Sequence, residues 1–173
     1  KVKVAHDSPV YAALRWLQLD WDEGPLSQAE RAERHRARIT ELLDSGKAYP
    51  DTATAEEVRA FKRAHGNAGY RGEPRTGEGA AIRLRVPDDG ETVVDDVIRG
   101  PVRLENRLTD DLVIARGDGT PLYNFAVAVD DAEMGITDVI RGDDHLSNTP
   151  KQLLVLGALG FERPRYAHLP LLH

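Results

Sequence analysis

Apolar positions along the chain follow two periods, and the change between them divides it. Val10, Ala13, Leu14 and Leu17 recur at helical spacing behind Ser8-Pro9, predicting a short helix to about Gln18 with one face packed inward. Beyond the turn at 22–25, Ser27 and Glu30 have the form of a capping box. The helix they open has a thin stripe, Ala29, Ala32, Ile39, Leu42 and Leu43, and stops at Gly46. Lys47-Ala48-Tyr49-Pro50 breaks the pattern and marks a boundary. A second capping box, Thr54 with Glu57, begins a helix to about His65, and the glycine-rich residues 66–79 read as a flexible connector.

Residues 81–116 then switch to period two, in runs at 81–86, 92–98, 102–105 and 112–116 separated by turn signals, which predicts an antiparallel meander. The run from Tyr123 to Val129 fits a strand or a short buried helix, and periodicity does not decide between them. Residues 136–140 read as a strand. Thr149-Pro150 starts a helix with Leu153, Leu154, Leu156, Ala158 and Leu159 inward, closed by Gly160, and a last apolar segment runs from Tyr166 to Leu172.

At 173 residues there is room for one core carrying a smaller inserted unit. Hydrophobic residues make up 40% and charged residues 30%, the balance of a globular protein, and there is no run of 18 apolar residues and no signal-like start. No membrane partner and a cytoplasmic location are the expectations. The absence of cysteine removes thiolate metal sites, and the six histidines have no pair at ligand spacing, so no zinc is expected. A net charge of −6 argues against nonspecific nucleic-acid binding by the whole-protein field but leaves room for a local basic face. Such faces are the arginines at 31–38, the cluster Arg59, Lys62, Arg63, His65, Arg71 and Arg75, and the alternating Arg83, Arg85, Arg103 and Arg116; solvated surface and phosphate contact both account for the last.

Candidate chemistry concentrates at residues 121–145, where two apolar runs end in charge. Asp130-Asp131 and Asp143-Asp144 have the oxygen ligands that magnesium prefers, though adjacent residues on a regular element point apart. Arg141, at the end of a predicted strand, could clamp a carboxylate with its planar fork or pair with Asp143 or Asp144. Tyr123 could add a hydroxyl to the same ligand. Ser147 beside His145 lacks the turn of a nucleophile elbow.

The block Arg116–Gln152, with 14–25, 82–87 and 166–172, closely resembles bacterial glutamyl-tRNA synthetases in family order. The resemblance implies an α/β, Rossmann-like class I synthetase catalytic fold, partial here and interrupted by an α+β acceptor-stem-binding insertion. Its parts would be 1–48 and 119–173, catalytic, and 49–118, inserted. The implied activity is ATP-dependent attachment of glutamate to tRNA(Glu) through glutamyl-adenylate, with ATP as substrate bringing Mg2+. Tyr123 and Arg141 would contact glutamate, Asp144, His168, Leu171 and Leu172 would lie near ATP and glutamate, and Arg83, Arg85 and Arg116 would hold the tRNA acceptor end. The resemblance assigns no catalytic residue and leaves oligomeric state open.

The departures have consequences. Residues 1–13 contain no HIGH-like motif, the KMSKS-like loop would follow Leu172, and Asp51-Thr-Ala-Thr-Ala55 lacks the cysteines of zinc-bearing relatives. Both signature motifs supply positioning and charge at the α-phosphorus, so the chain alone is expected to show no measurable aminoacylation. The alternative is a noncatalytic acceptor-stem-binding module or a synthetase-like remnant.

Overall fold

The structure, a computed structural model, describes residues 9–170. Ser8, Leu171 and Leu172 lie outside the described residues. Helix α1 (Pro9–Trp16) is followed by α2 (Ala32–Asp44), β1 (Ala48–Asp51), α3 (Ala55–Ala64) and β2 (Ala81–Leu84). The hairpin β3 (Glu91–Asp96) and β4 (Gly100–Glu105) precedes β5 (Leu112–Ala115), α4 (Tyr123–Glu133), β6 (Asp138–Gly142), α5 (Thr149–Leu159) and β7 (Arg165–Leu169).

The strands form two sheets. One is antiparallel in the order β1-β2-β5; the other runs β4-β3-β7-β6, with β3, β7 and β6 mutually parallel and β4 antiparallel at the edge. A single apolar cluster joins them through Ile39 and Leu42 of α2, Leu84, Val94 and Ile114 of the sheets, Phe125 and Val129 of α4, Leu153 and Leu156 of α5, and Tyr166 of β7. The four-stranded sheet therefore unites a hairpin from the 49–118 segment with strands from 119–173.

The expected meander does not form. Strand 81–84 pairs with β1 and β5, while the next two strands leave for the other sheet and take β7 as a parallel neighbour. Period two identifies which residues are extended and which face is apolar, but the identity of the partner strand lies in long-range packing. The break at 47–50 is itself partly a strand, and Pro50 is tolerated there because β1 is at an edge.

The undecided run at 123–129 is helix α4, which buries Phe125, Ala126, Ala128 and Val129. The Thr54–Glu57 box forms in full, Glu57 N–H donating to Thr54 Oγ1 (3.2 Å) and Thr54 N–H to Glu57 Oε2 (2.7 Å). The Ser27–Glu30 box does not: Glu30 N–H bonds the Ser27 carbonyl (3.0 Å), and the chain enters α2 through a 3₁₀ turn. Helix α1 also forms but buries no residue, leaving Val10 and Trp16 63% and 81% exposed, because the pattern reports an apolar face and not what covers it.

The connector at 66–79 has no regular element yet is firmly held. The guanidinium of Arg71 donates to the carbonyls of Thr109 (2.6 Å), Asn106 (3.0 Å) and Pro87 (3.1 Å), and Gly69 lies so close to the Thr109 backbone that a Cβ would collide with it. Tyr49, buried, donates to Asp111 (2.7 Å) and accepts from Gly72 N–H (2.9 Å), which ties β1 to the same loops. The basic cluster here is paired: Arg59 and Arg63 with Glu56, Lys62 with Asp110, Arg75 with Glu57.

Helix α2, with the 3₁₀ turn (Gln28–Arg31) that leads into it, is docked on α4 by charge as well as by its thin apolar stripe. Asp130 accepts from Arg31 (2.5 Å), Gln28 (2.9 Å) and His35 (2.8 Å), and Glu133 from Arg31, Arg34 and Arg38. Burial pushes the Asp130 carboxyl up, but these donors outweigh it and hold the acid below its ordinary range. Replacing Asp130 with alanine leaves Arg31 and buried His35 without their shared acceptor and should cost about 3 kcal/mol in urea denaturation, as for other halved buried pairs. Arg34→Ala, at 63% side-chain exposure, should cost under about 1 kcal/mol in the same assay.

Candidate functional site

The parallel strands β3, β7 and β6 end side by side, and each ends in a residue that hydrogen-bonds the next. Asp96 closes β3, His168 lies one residue before the end of β7, and Arg141 sits opposite His168 in the β6–β7 register. Side chains at the carboxyl ends of parallel strands face the crevice in which open α/β sheets bind ligands. Asp96 Oδ2 lies 2.6 Å from His168 Nδ1, and the Asp96 carboxylate also accepts from the backbone N–H groups of Ile98, Arg99 and His168. Burial alone would raise this acid; those hydrogen bonds overcome it and bring its pKa to about 2.

Arg141 Nε donates to His168 Nε2 (3.1 Å), and its Nη2 donates to Thr149 Oγ1 (2.8 Å) and Gln152 Oε1 (2.9 Å). All three acceptors are neutral in this arrangement, because a histidine nitrogen that accepts from arginine has its lone pair free. Among the described residues no carboxylate lies within 4.0 Å of the guanidinium. The expected alternative pairing with Asp143 or Asp144 is absent: Asp143 pairs with Arg99, and exposed Asp144 lies 3.7 Å from His145. Asp131 on α4 feels Arg141 through space, but its own half-burial is the larger effect and raises its carboxyl, weakening it as a counterion. The result is a half-buried cation held in place by dipoles and short of negative charge.

Tyr123, half exposed at the start of α4, has its ring 6.2 Å from that of His145. It connects to the arginine through its neighbour: Asn124 Oδ1 accepts from Gln152 Nε2 (3.3 Å), and Gln152 holds Arg141. The Tyr123 side lines a surface cavity of about 490 Å³ with His35, Arg36, Asp118 and Thr120. His168, expected beside ATP, is fully buried with both ring nitrogens engaged, so the group its side chain serves is Arg141. Neither acidic pair offers two free carboxylates for magnesium, since Asp130 and Asp143 are both committed to arginines.

Of the arginines expected at tRNA, Arg83 is bound to Asp51 (2.7 Å) and to the Asp111 carbonyl. Arg85 stacks over Tyr49, and among the described residues no hydrogen bond engages the guanidinium of Arg85 or Arg116. Sequence reasoning missed Asp96, Thr149 and Gln152. For Asp96 the signal was present: Val93-Val94 ends in Asp95-Asp96, the same charge after an apolar run that singled out Asp130-Asp131.

Because Asp96 has its folded pKa depressed, its contribution is present above the unfolded value near 4 and is lost as pH falls through about 2. Asp96→Asn should cost about 2 kcal/mol at pH 7 and flatten the loss of stability between pH 5 and 2.5, read by denaturant titration at each pH.

The chain is similar to known proteins over nearly its whole length. The family model for tRNA synthetases class I (E and Q), catalytic domain, matches residues 1–173. A glutamate–tRNA ligase 1 of Acidithiobacillus ferrooxidans is 50% identical over 94% of this chain and 37% of its own length. The glutamate–tRNA ligase of Burkholderia lata is 48% identical over 91% of this chain and 37% of its own. A crystal structure of a glutamate tRNA ligase from Elizabethkingia meningosepticum in complex with its amino acid superposes with a TM-score of 0.78 at 31% identity, over 94% of this chain and 39% of that one. The chain thus spans little more than a third of these relatives, and its two sheets and packed helices are part of a class I catalytic fold. Both the matched family model and these relatives lead to one conclusion: the chain belongs to the class I tRNA synthetases of the glutamate and glutamine group, within their catalytic domain.

Proposed function

We propose that this chain supplies the amino-acid side of a glutamate–tRNA ligase active site, in a protein that joins glutamate to tRNA(Glu) through glutamyl-adenylate in the cytoplasm. The observation that supports it is Arg141, a cation at the carboxyl ends of parallel strands whose acceptors are all neutral. A substrate carboxylate completes that site, whereas the amide of glutamine brings no charge to it, so the arrangement selects between the two members of the family's substrate pair. Tyr123 would add its hydroxyl to the same substrate, as the family resemblance implies, and the relatives' names agree with glutamate.

Activation is an in-line attack of the substrate α-carboxylate oxygen on the α-phosphorus of ATP with release of pyrophosphate; the terminal ribose hydroxyl of tRNA then displaces AMP. Mg2+ accompanies ATP as part of the substrate and neutralises phosphate charge. The part of this chain is to fix the amino acid so that its α-carboxylate meets the phosphorus, which is catalysis by positioning. The 49–118 segment would hold the acceptor end, with Arg85 and Arg116 free for phosphate and Arg83 bracing the sheet through Asp51.

Calorimetric titration of this chain with glutamate and glutamine tests the assignment. Glutamate should bind in preference to glutamine, and Arg141→Ala should lower glutamate affinity by about 10- to 100-fold, the range of a lost charge-assisted contact. Equal affinity for the two amino acids would sink the reading. Binding of an acceptor-stem RNA should weaken with salt, and Arg85→Ala and Arg116→Ala should each reduce the slope of log K against log salt by about 1.

A further inference from the structure

Arg141 has five N–H donors, and the fold takes up those on Nε and Nη2. Thr149 and Gln152, both on α5, hold Nη2, while His168 on the neighbouring strand holds Nε. The plane of the guanidinium is therefore fixed by acceptors from two directions, and the two N–H groups on Nη1 are what it can offer a ligand. The Nε bond exists only when His168 Nε2 is unprotonated. That condition is set one strand further away, by the 2.6 Å contact between His168 Nδ1 and Asp96. With the imidazole proton directed to Asp96, Nε2 is an acceptor for Arg141 Nε–H and for the Thr149 hydroxyl, which lies 3.1 Å away; with a proton on Nε2, that N–H could turn only to Thr149 Oγ1, and Arg141 Nε would lose its acceptor. His168 and Asp96 are fully buried, so neither touches a ligand, and both are better placed to orient Arg141 than to move protons to or from substrate.

We propose that His168, held in its Nδ1–H tautomer by Asp96, is the positioning residue that aims the Nη1 edge of Arg141 at the substrate carboxylate, and that it thereby sets the preference for a carboxylate over an amide end. This rests on the reading of Arg141 as the glutamate ligand. It assigns a functional part to a strand, β3, that contributes no residue expected to touch the amino acid.

The test uses a pair of substitutions that separate the two nitrogens of the ring. Glutamine at 168 can place its amide oxygen near the Nε2 position and still accept from Arg141. Asparagine is shorter, places its amide near Nδ1, and keeps a bond to Asp96 while leaving Arg141 Nε without an acceptor. In titrations of this chain with glutamate and with glutamine, His168→Asn should lower the glutamate-to-glutamine affinity ratio by about tenfold, the worth of one hydrogen bond to a charged group, and His168→Gln should retain it within about threefold. Thermal melts of both variants confirm that folded protein is compared. Independently, 15N NMR of the unsubstituted chain should show the His168 proton on Nδ1 and a slowly exchanging Arg141 Nε–H. A proton on Nε2, or equal affinity ratios in His168→Asn and the unsubstituted chain while Arg141→Ala abolishes the preference, would overturn the positioning role alone. If Arg141→Ala itself changes nothing, the glutamate assignment fails and the proposal with it.

Discussion

The row Asp96, His168, Arg141 across three parallel strands is the constraint on which the site depends. A buried carboxylate needs donors, a buried imidazole needs a partner at each nitrogen, and a guanidinium on the edge of the crevice needs acceptors that leave its charge in place. Each requirement is met by the next residue in the row. The arrangement works only with strands in this order and register, since Arg141 faces His168 directly in the β6–β7 ladder and Asp96 reaches it from β3. Sheet topology here is therefore a condition of the chemistry.

Several other charges hold the scaffold together. The arginines at 31–38 are drawn to Asp130 and Glu133 or to acids on their own helix, and Arg71 and Arg75 are committed to loop carbonyls and acids. A thin apolar stripe on α2 explains why: with few large side chains to bury, docking on α4 draws on paired charge, and an unpaired ion at that seam would be costly. The contrast with Arg141 is what makes its neutral surroundings informative. Arg141 is half-buried and its hydrogen-bond acceptors include no carboxylate, in a chain with more acids than bases, which leaves its charge to be met from outside the fold.

Several elements were legible because their causes are local. Thr54 and Glu57 satisfy each other's backbone, so that box forms wherever the helix forms; Thr149-Pro150 and the left-handed Gly160 bound α5 for similarly local reasons. The Ser27–Glu30 box failed because a backbone bond took the donor it needed. Arg141 and Tyr123 were visible as charge and hydroxyl bordering apolar runs.

Local pattern was enough to give the family resemblance, helices α3 and α5, the extended runs within residues 81–116 and the candidacy of Arg141. The helical state of 123–129, the separation of the middle strands into two sheets, and the support of the arginine by Thr149, Gln152 and, through His168, Asp96 all came from long-range packing. The physical reason is distance along the chain. Helical period, caps and turns are set by residues within a few positions of one another, whereas Asp96 and His168 are 72 residues apart and become neighbours only when burial of a shared core selects which strands pair.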